Sequence, residues 1–505
     1  MTEGAVGRTP IIRISAALTA GRGDRLCDAA RNAADSLPVV RTGPTGIQEL
    51  NPLVLATDGG RTALFFSPSQ STVHELTVEL ETNGLPTVDA DAVVDHEPDV
   101  RTLPIPETGP LSVGHRRVLG PCGWIDPLVP TDYPLYSTEL DADTVAEIGV
   151  LGRGRGDAVA DAPAAEAWEQ ARETDGDPVV VVNANETDTR QRADRTLLAA
   201  APIAVLDGVA AVAAYVGADD AVLYLNEDET ELQRHVRRAV KAASDSLAIV
   251  PDIVAGPNEY RAGAPTAALE AMEGADRIEP RIQPPAPAIY GLYGRPTVVH
   301  TPRTFAQVRE AIRIPKRINE DEPEPGTRLV TVTGDVGAPA TIELDSNDTL
   351  AKTRDAVSLT GSFKMACVGG VFGGITTDLD ISSTAQSLTA ASLGTDSVVE
   401  LLSDDRCAVA TAGERARFAS EVNSGRCVPG REGTKQLTEL LREIYRGSFR
   451  CDDIRELGRV MRRSSNCRIG ADAPRPVITA MDEFEPEFRR HADGHCPSGT
   501  CTEKL

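Results

Sequence analysis

Val179-Val180-Val181-Val182-Asn183-Ala184-Asn185-Glu186-Thr187 is the stretch that sets the class of fold. Its β-branched run from Val179 to Asn183 reads as a strand. Downstream the pattern alternates: 194–216 is apolar and helical, 221–225 is a strand, and 229–244 is an amphipathic helix. Strands alternating with helices from 139 to about 300 predict a mostly parallel α/β domain. On its N-terminal side, 11–82 gives an apolar stretch, a helix-like segment at 25–36, strands at 53–56 and 61–67, and a helix at 72–81, a small α/β unit. Asp, Pro and Gly crowd 86–114, which reads as a linker. A Pro-rich stretch from Pro280 to Pro296 leaves the central domain, and 327–357 then gives hairpin-like strands with a short helix, a compact α+β module. After Cys407 the pattern is helical at 414–422, 433–446, 452–463 and 474–491, and the last dozen residues are polar without periodicity.

The 505 residues carry 51 basic and 76 acidic side chains, net −25, and only six of the basic ones are Lys. A surface that is acidic throughout and poor in Lys suits a salt-rich cytoplasm, where screening suppresses self-repulsion, and predicts a halophilic archaeon as the source. No Lys/Arg stripe with interleaved aromatics is present, which argues against nucleic acid as a partner. Nine cysteines scattered along the chain argue against a disulfide framework. The N-terminus lacks an apolar targeting core, and the most apolar window, 197–217, is interrupted by Pro202 and Asp207. The expectation is a cytoplasmic protein without direct membrane insertion.

Four ordered segments carry chemistry. They are His115-Arg116-Arg117-Val118-Leu119 with Cys122 to Pro127, running on to Gly152-Arg153-Gly154-Arg155-Gly156; the stretch Val181 to Thr187 followed by Asp194-Arg195; Tyr260 and Gly263 on to Gly291-Leu292-Tyr293-Gly294-Arg295-Pro296-Thr297; and Cys427 with Arg431-Glu432-Gly433, then Asn466-Cys467-Arg468. In this order over 115–492 they resemble the NADH-binding flavoprotein subunit of complex I and its diaphorase relatives in NAD-linked hydrogenases and formate dehydrogenases. The resemblance implies FMN, with the Arg/Gly loop cradling its phosphate and the lining drawn from Gly154, Asn183, Asn185, Glu186, Tyr260 and Gly263. It also implies a [4Fe–4S] cluster, NAD(P)H as electron donor, and the other subunits of an electron-transfer complex as partners.

Each segment departs from the family pattern at the chemistry. Asp157 and Val159 replace glycines of the phosphate loop, and the lysine that follows it in the family is absent. Gly263-Ala264-Pro265-Thr266 stands where the family has Gly-Glu-Glu-Thr, and His300-Thr301 replaces an Asn-Asn pair. Of four cluster thiolates only Cys427 and Cys467 remain, with Ser424 and Gly430 at the other positions, so the set is incomplete; two small buried apolar residues are the alternative. The surviving flavin-lining residues likewise have an alternative role in holding strand–loop–helix geometry. The stretch Thr42 to Val54 resembles a thioredoxin-like [2Fe–2S] ferredoxin, but Pro44 and Gln48 replace its cysteines, so no [2Fe–2S] cluster is expected. The tail, His491-Ala492-Asp493-Gly494-His495-Cys496-Pro497-Ser498-Gly499-Thr500-Cys501, resembles the Cys-Pro-Ala-Gly-x-Cys segment of the hydrogenase-type relatives. Its Cys496, Cys501 and His495 are ligand types for zinc, against a solvated tail as the alternative.

The expected architecture is a multidomain α/β protein: a thioredoxin-like ferredoxin remnant (1–85), a linker (86–114), a Rossmann-like flavin/NAD domain (115–325), a ubiquitin-like β-grasp module (326–410), a helical iron–sulfur-type bundle (411–492) and a Cys/His tail (493–505). The expected function is electron transfer from NAD(P)H through FMN within a multisubunit assembly. A catalytically silent paralogue kept as a structural or assembly subunit is the alternative.

Overall fold

The computed structural model of the chain describes residues 6–7, 9–19, 21–135, 149–155, 161–315 and 324–501. Three sheets and a helical bundle follow one another along the sequence.

The first sheet has the order β2-β1-β3-β4-β5, from β1 (Ile11–Ser15), β2 (Val39–Thr42), β3 (Leu53–Asp58), β4 (Arg61–Phe66) and β5 (Ala92–Asp95). Only β1 and β2 pair in parallel, joined by the helix Arg22–Ala33. Ile12, Ile14, Val54 and Phe65 pack under this helix and the helix Gln70–Thr82 through Leu26, Val73 and Leu76. The strand β5 lies inside the stretch expected to be a linker. Its short Ala-Val-Val-Asp run pairs along β4 at the sheet edge, where a half-exposed strand needs no long apolar run to be stable.

The central sheet is parallel throughout, in the order β8-β7-β6-β9, from β6 (Val179–Ala184), β7 (Asp220–Asn226), β8 (Asp252–Gly256) and β9 (Thr297–His300). The valine run forms β6 because both of its faces are covered. Val180 and Val182 belong to the large core with the helix Pro202–Val216, while Val179 and Val181 meet Leu269, Leu292 and Val299 on the other side. The helix Thr230–Ala243 buries Leu232, Val236, Ala239, Val240 and Ala243, the stripe that a 3.6-residue period puts on one face.

The apolar window at 197–217 is a pair of helices, Ala193–Ala200 and Pro202–Val216, bent by 101° at Pro202. Among the described residues no single helix is long and apolar enough to cross a membrane. Asp207 is tolerated in this core helix because Arg309 reaches it at 3.1 Å. The neighbouring Gly208 lets the helix Pro302–Arg313 approach: a Cβ there would lie 2.1 Å from the Phe305 carbonyl oxygen.

The third sheet has the order β11-β10-β14-β12-β13, from β10 (Thr327–Gly334), β11 (Ala340–Asp345), β12 (Phe363–Val368), β13 (Gly374–Thr376) and β14 (Val398–Ser403), with β10 and β14 parallel at its centre. The helices Ala408–Val422, Thr434–Tyr445, Cys451–Ser464, Arg468–Asp472, Pro474–Glu483 and Glu485–Ala492 then bury Leu437, Leu441, Ile454, Val477, Met481 and Phe488 against Met365 and Leu402 of this sheet. The helix expected over 474–491 is broken at Phe484, where Pro486 opens a new first turn.

Candidate functional site

In a parallel sheet whose strand order reverses, the carboxyl ends of the two strands flanking the reversal leave a crevice. Here those strands are β6 and β9. Asn183 lies near the end of β6, Asn185 and Glu186 follow it, Tyr260 and Gly263 follow β8, and Thr301 follows β9. Of the six predicted lining residues, Asn183, Asn185, Glu186 and Gly263 line one small space here, Gly154 lies against Thr301 at its side, and Tyr260 lines a neighbouring cavity.

Their polar groups are largely engaged in holding the fold. The Asn183 amide donates to the Gly263 carbonyl at 3.0 Å, and the Asn185 amide donates to the Pro257 carbonyl at 3.2 Å. Glu186 accepts the backbone N–H groups of Asp194 and Arg195 at 2.9 and 2.8 Å, so its carboxylate caps the start of the helix Ala193–Ala200. Burial, and then the charge of Asp194, push Glu186 up to about 8. Arg303, itself buried, clamps Asp194 at 2.5 Å. Gly154 has a positive φ of 152°, and a Cβ there would lie 2.7 Å from the Thr301 methyl group. His300 is held neutral, pushed down to about 4 by burial, and its Nε2 accepts the Trp168 indole N–H at 2.9 Å.

The group that decides what the crevice can hold is Arg155. Its guanidinium lies 3.7 Å from the centre of the Tyr260 ring, and it donates to Thr187 Oγ1 at 2.9 Å and to the Tyr260 carbonyl. A Cβ on Gly263 would sit 2.3 Å from Arg155 Nη2, so the backbone opening at Gly263 is filled by this side chain. The space left between Asn183, Asn185, Glu186 and Gly263 is about 20 Å³, room for a water and not for a tricyclic flavin ring. Asn183 Oδ1, Asn185 Oδ1 and Arg155 Nη1 are buried without a hydrogen-bond partner around it. In this arrangement the space between Asn183 and Gly263 does not fit a flavin ring, while Arg155 and Tyr260 also line a neighbouring cavity of about 350 Å³. Gly156, Asp157 and Val159 of the phosphate loop lie outside the described residues.

The loop at Cys427 is closed in a similar way. Cys427 Sγ accepts the N–H groups of Gly430 at 3.4 Å and Asn466 at 3.5 Å, so the thiol caps backbone. A Cβ on Gly430 would lie 3.2 Å from that sulfur, and one on Gly470 would lie 3.2 Å from Gly430 Cα. The two loops thus approach closely at Gly430 and Gly470. Cys427 is buried and Cys467 half-buried, and neither belongs to a group of three or more converging ligands among the described residues.

The converging thiols are elsewhere. Cys407, His491, Cys496 and Cys501 place one ligand atom each within 4.8 Å of all the others. His491 Nε2 lies 3.3 Å from Cys407 Sγ and 3.0 Å from Cys501 Sγ, and the sulfurs of Cys496 and Cys501 are 3.1 Å apart. The other ring nitrogen, His491 Nδ1, lies 2.8 Å from the Glu487 carbonyl and donates to it, which turns Nε2 toward the sulfurs. Burial pushes Cys407 and Cys501 up to about 11. At Cys496 burial also acts upward, but hydrogen bonds from Ser498, Cys501 and nearby backbone outweigh it and hold the thiol at about 5. Three sulfurs and one imidazole are a tetrahedral zinc set. His495, expected as a ligand, is exposed and stands outside the group. The tail turns back at that residue, whose N–H closes onto the Arg490 carbonyl, so it is His491, one helical turn earlier, that faces inward.

Residues 145–310 match the Nuo51 FMN-binding domain, and residues 410–491 match the NADH-ubiquinone oxidoreductase-F iron–sulfur binding region. Over these two regions the chain is similar to the NADH-binding flavoprotein subunit of complex I and of NAD-linked hydrogenases. An NADH-quinone oxidoreductase subunit of Streptomyces coelicolor is 29% identical over 382 residues, covering 70% of this chain and 83% of that protein. The NADP-reducing hydrogenase subunit HndC of Solidesulfovibrio fructosivorans is 27% identical over 431 residues, covering 76% of this chain and 85% of that protein. The fold matches a chain of an NAD⁺-reducing [NiFe]-hydrogenase in the H₂-reduced state with a TM-score of 0.66 at 23% identity, over 96% of this chain and 85% of that one. Sequence reasoning named the crevice residues and the two loop cysteines as candidates. It missed Arg155 as the residue filling the crevice, and it missed Cys407 and His491. Cys407 lies 84 residues before His491, and no local spacing connects them.

Proposed function

We propose that the chain occupies the flavoprotein-subunit position of a multisubunit assembly that transfers electrons from NAD(P)H. Support for the position is the match of both family regions in their family order over a fold shared almost end to end. The strand orders support the finer reading of the parts: a thioredoxin-like unit in the first sheet, a Rossmann-like domain in the parallel sheet, a ubiquitin-like β-grasp module in the third, then the bundle. Arg155 fills the opening at Gly263, so a flavin ring placed between Asn183 and Gly263 requires that side chain to move. What the residues of this chain do is hold shape: Glu186 caps a helix, Arg303 clamps Asp194, and Cys427 closes its loop. A structural zinc ion bound by Cys407, His491, Cys496 and Cys501 would pin the tail to the bundle.

A second reading, in which the chain itself loads FMN, is favoured by the buried, unpartnered Asn183 Oδ1 and Asn185 Oδ1, and it requires Arg155 to swing out. Affinity purification of the tagged chain from its native host tests the position: a stable complex with NAD(P)H-dependent dye reduction is expected, and a lone chain with no such activity would contradict it.

A further inference from the structure

Away from the crevice, the loop at His115 meets the turn that ends β11. Gly114, at a φ of 72°, lets this loop press onto the strand: a Cβ there would lie 2.3 Å from the Glu343 carbonyl oxygen. The next residue, His115, donates its N–H to that same oxygen at 2.7 Å. The ring is thereby brought to the carboxylates of Asp345 and Asp348, and the three side chains place one ligand atom each within 4.8 Å of the others. His115 Nε2 lies 3.0 Å from Asp345 Oδ2 and 3.1 Å from Asp348 Oδ2. Although both oxygens are this near, Nε2 is buried with no hydrogen-bond partner, so they lie beside its bonding direction and not on it. In the same turn Ser346, 8% exposed, also has an Oγ without a partner. Two ligand atoms held at right angles by bonds of about 2.1 Å to a divalent cation are about 3.0 Å apart, the spacing found here. The carboxylates are oriented by a second layer of contacts: Asp345 Oδ1 accepts the Asn347 N–H at 3.0 Å, Asp348 Oδ2 accepts the Asp345 N–H at 3.1 Å, and Lys352 holds Asp348 Oδ1. Arg117 Nη2 lies 3.3 Å from Asp345 Oδ2. Both carboxylates are buried and the His115 ring is half-buried, so the group is neither a solvated surface cluster nor sealed from solvent.

We propose that His115, Asp345 and Asp348 bind one divalent cation of the Mn²⁺ class, with water completing its shell, and that the ion staples the loop at 115 to the third sheet. One imidazole and two carboxylates are an oxygen-rich set that suits Mn²⁺, whereas the three sulfurs of the tail tetrad favour zinc, so Mn²⁺ as probe tells the two sites apart. The site shares no residue with the crevice or the tail. The full chain, given one equivalent of zinc, is titrated with Mn²⁺ in about 2 M KCl, where screening suppresses loose binding by surface carboxylates. Loss of the free-ion EPR signal counts the bound Mn²⁺, and pulsed EPR reads the nitrogen coupling of a bound imidazole. One Mn²⁺ per chain is expected, with the coupling of a single imidazole and a raised Tm. His115→Gln is expected to keep the parent Tm without Mn²⁺, to lose the imidazole coupling and to weaken binding at least tenfold. Asp348→Asn reads the site independently: binding weakens at least tenfold while the imidazole coupling persists at saturating Mn²⁺. Absence of a stoichiometric Mn²⁺, Mn²⁺ bound to the parent without imidazole coupling, or unchanged affinity in either folded variant would overturn the assignment.

Discussion

Loading the tail tetrad with zinc gives a count that can be checked proton by proton. A thiol must lose its proton to ligate a metal, so each thiol still protonated in the free protein releases one on binding. At about pH 8 Cys407 and Cys501, pushed up to about 11, are protonated, while Cys496, held at about 5, is already a thiolate. Zinc binding should therefore release about two protons from the thiols, plus whatever fraction His491, itself raised, still carries, and once His491 is neutral the apparent Kd should fall about a hundredfold per pH unit up to about pH 10. Removing Cys496 and removing Cys501 then have different consequences. Cys496→Ser weakens binding but leaves the proton count near two, whereas Cys501→Ser weakens it and lowers the count to about one. Calorimetry in two buffers of different ionisation enthalpy, with a chelator competition to fix Kd, reads both quantities. An equal drop in proton count in the two variants would refute the assignment of the thiolate to Cys496. Zinc that fails to bind the parent, or binds Cys407→Ser equally well, would refute the tetrad itself.

Further outcomes follow from the crevice and the core. Arg155→Gly removes the side chain that fills the space at Gly263, and equilibrium titration followed by flavin fluorescence should show FMN binding stronger than in the parent; equal binding would mean that Arg155 is not the obstacle. Gly208→Ala puts a methyl group 2.1 Å from the Phe305 carbonyl oxygen and should cost about 1–3 kcal/mol in chemical denaturation, because the two helices must separate. His300 is neutral in the fold, with its pKa depressed to about 4, while in the unfolded chain it takes up a proton near its ordinary value. The unfolded state therefore binds more protons between about pH 6.5 and 4, and stability should fall through that window as pH is lowered. In His300→Phe that part of the acid loss should disappear from the unfolding midpoint measured against pH.

The sequence made the central sheet legible because Val179 to Val182 can be buried on both faces only in a parallel, helix-covered sheet, and the helical stripe of Leu232, Val236 and Val240 pointed the same way. The family resemblance also implied that Asn183, Asn185, Glu186, Tyr260 and Gly263 share one site; in the structure they follow β6 and β8 of the parallel sheet. What the sequence left open depended on side-chain paths and distant partners. Arg155 reads as one more residue of a glycine loop, and nothing local says that its guanidinium stacks on Tyr260, 105 residues away. His495 looks like the ligand because it adjoins Cys496, yet the turn closing the last helix points it outward and His491 inward. The short edge strand at Ala92–Asp95 escaped because four residues among Asp and Pro carry too little periodicity to separate from a linker.

The most direct test is the content of the chain as purified without added cofactor under anaerobic conditions: flavin by absorbance, and iron, sulfide and zinc by elemental and colorimetric assay. One zinc per chain is expected, with neither flavin nor iron at stoichiometric level. A yellow protein carrying one FMN per chain, bleached by NADH, would contradict the claim that Arg155 closes the flavin crevice.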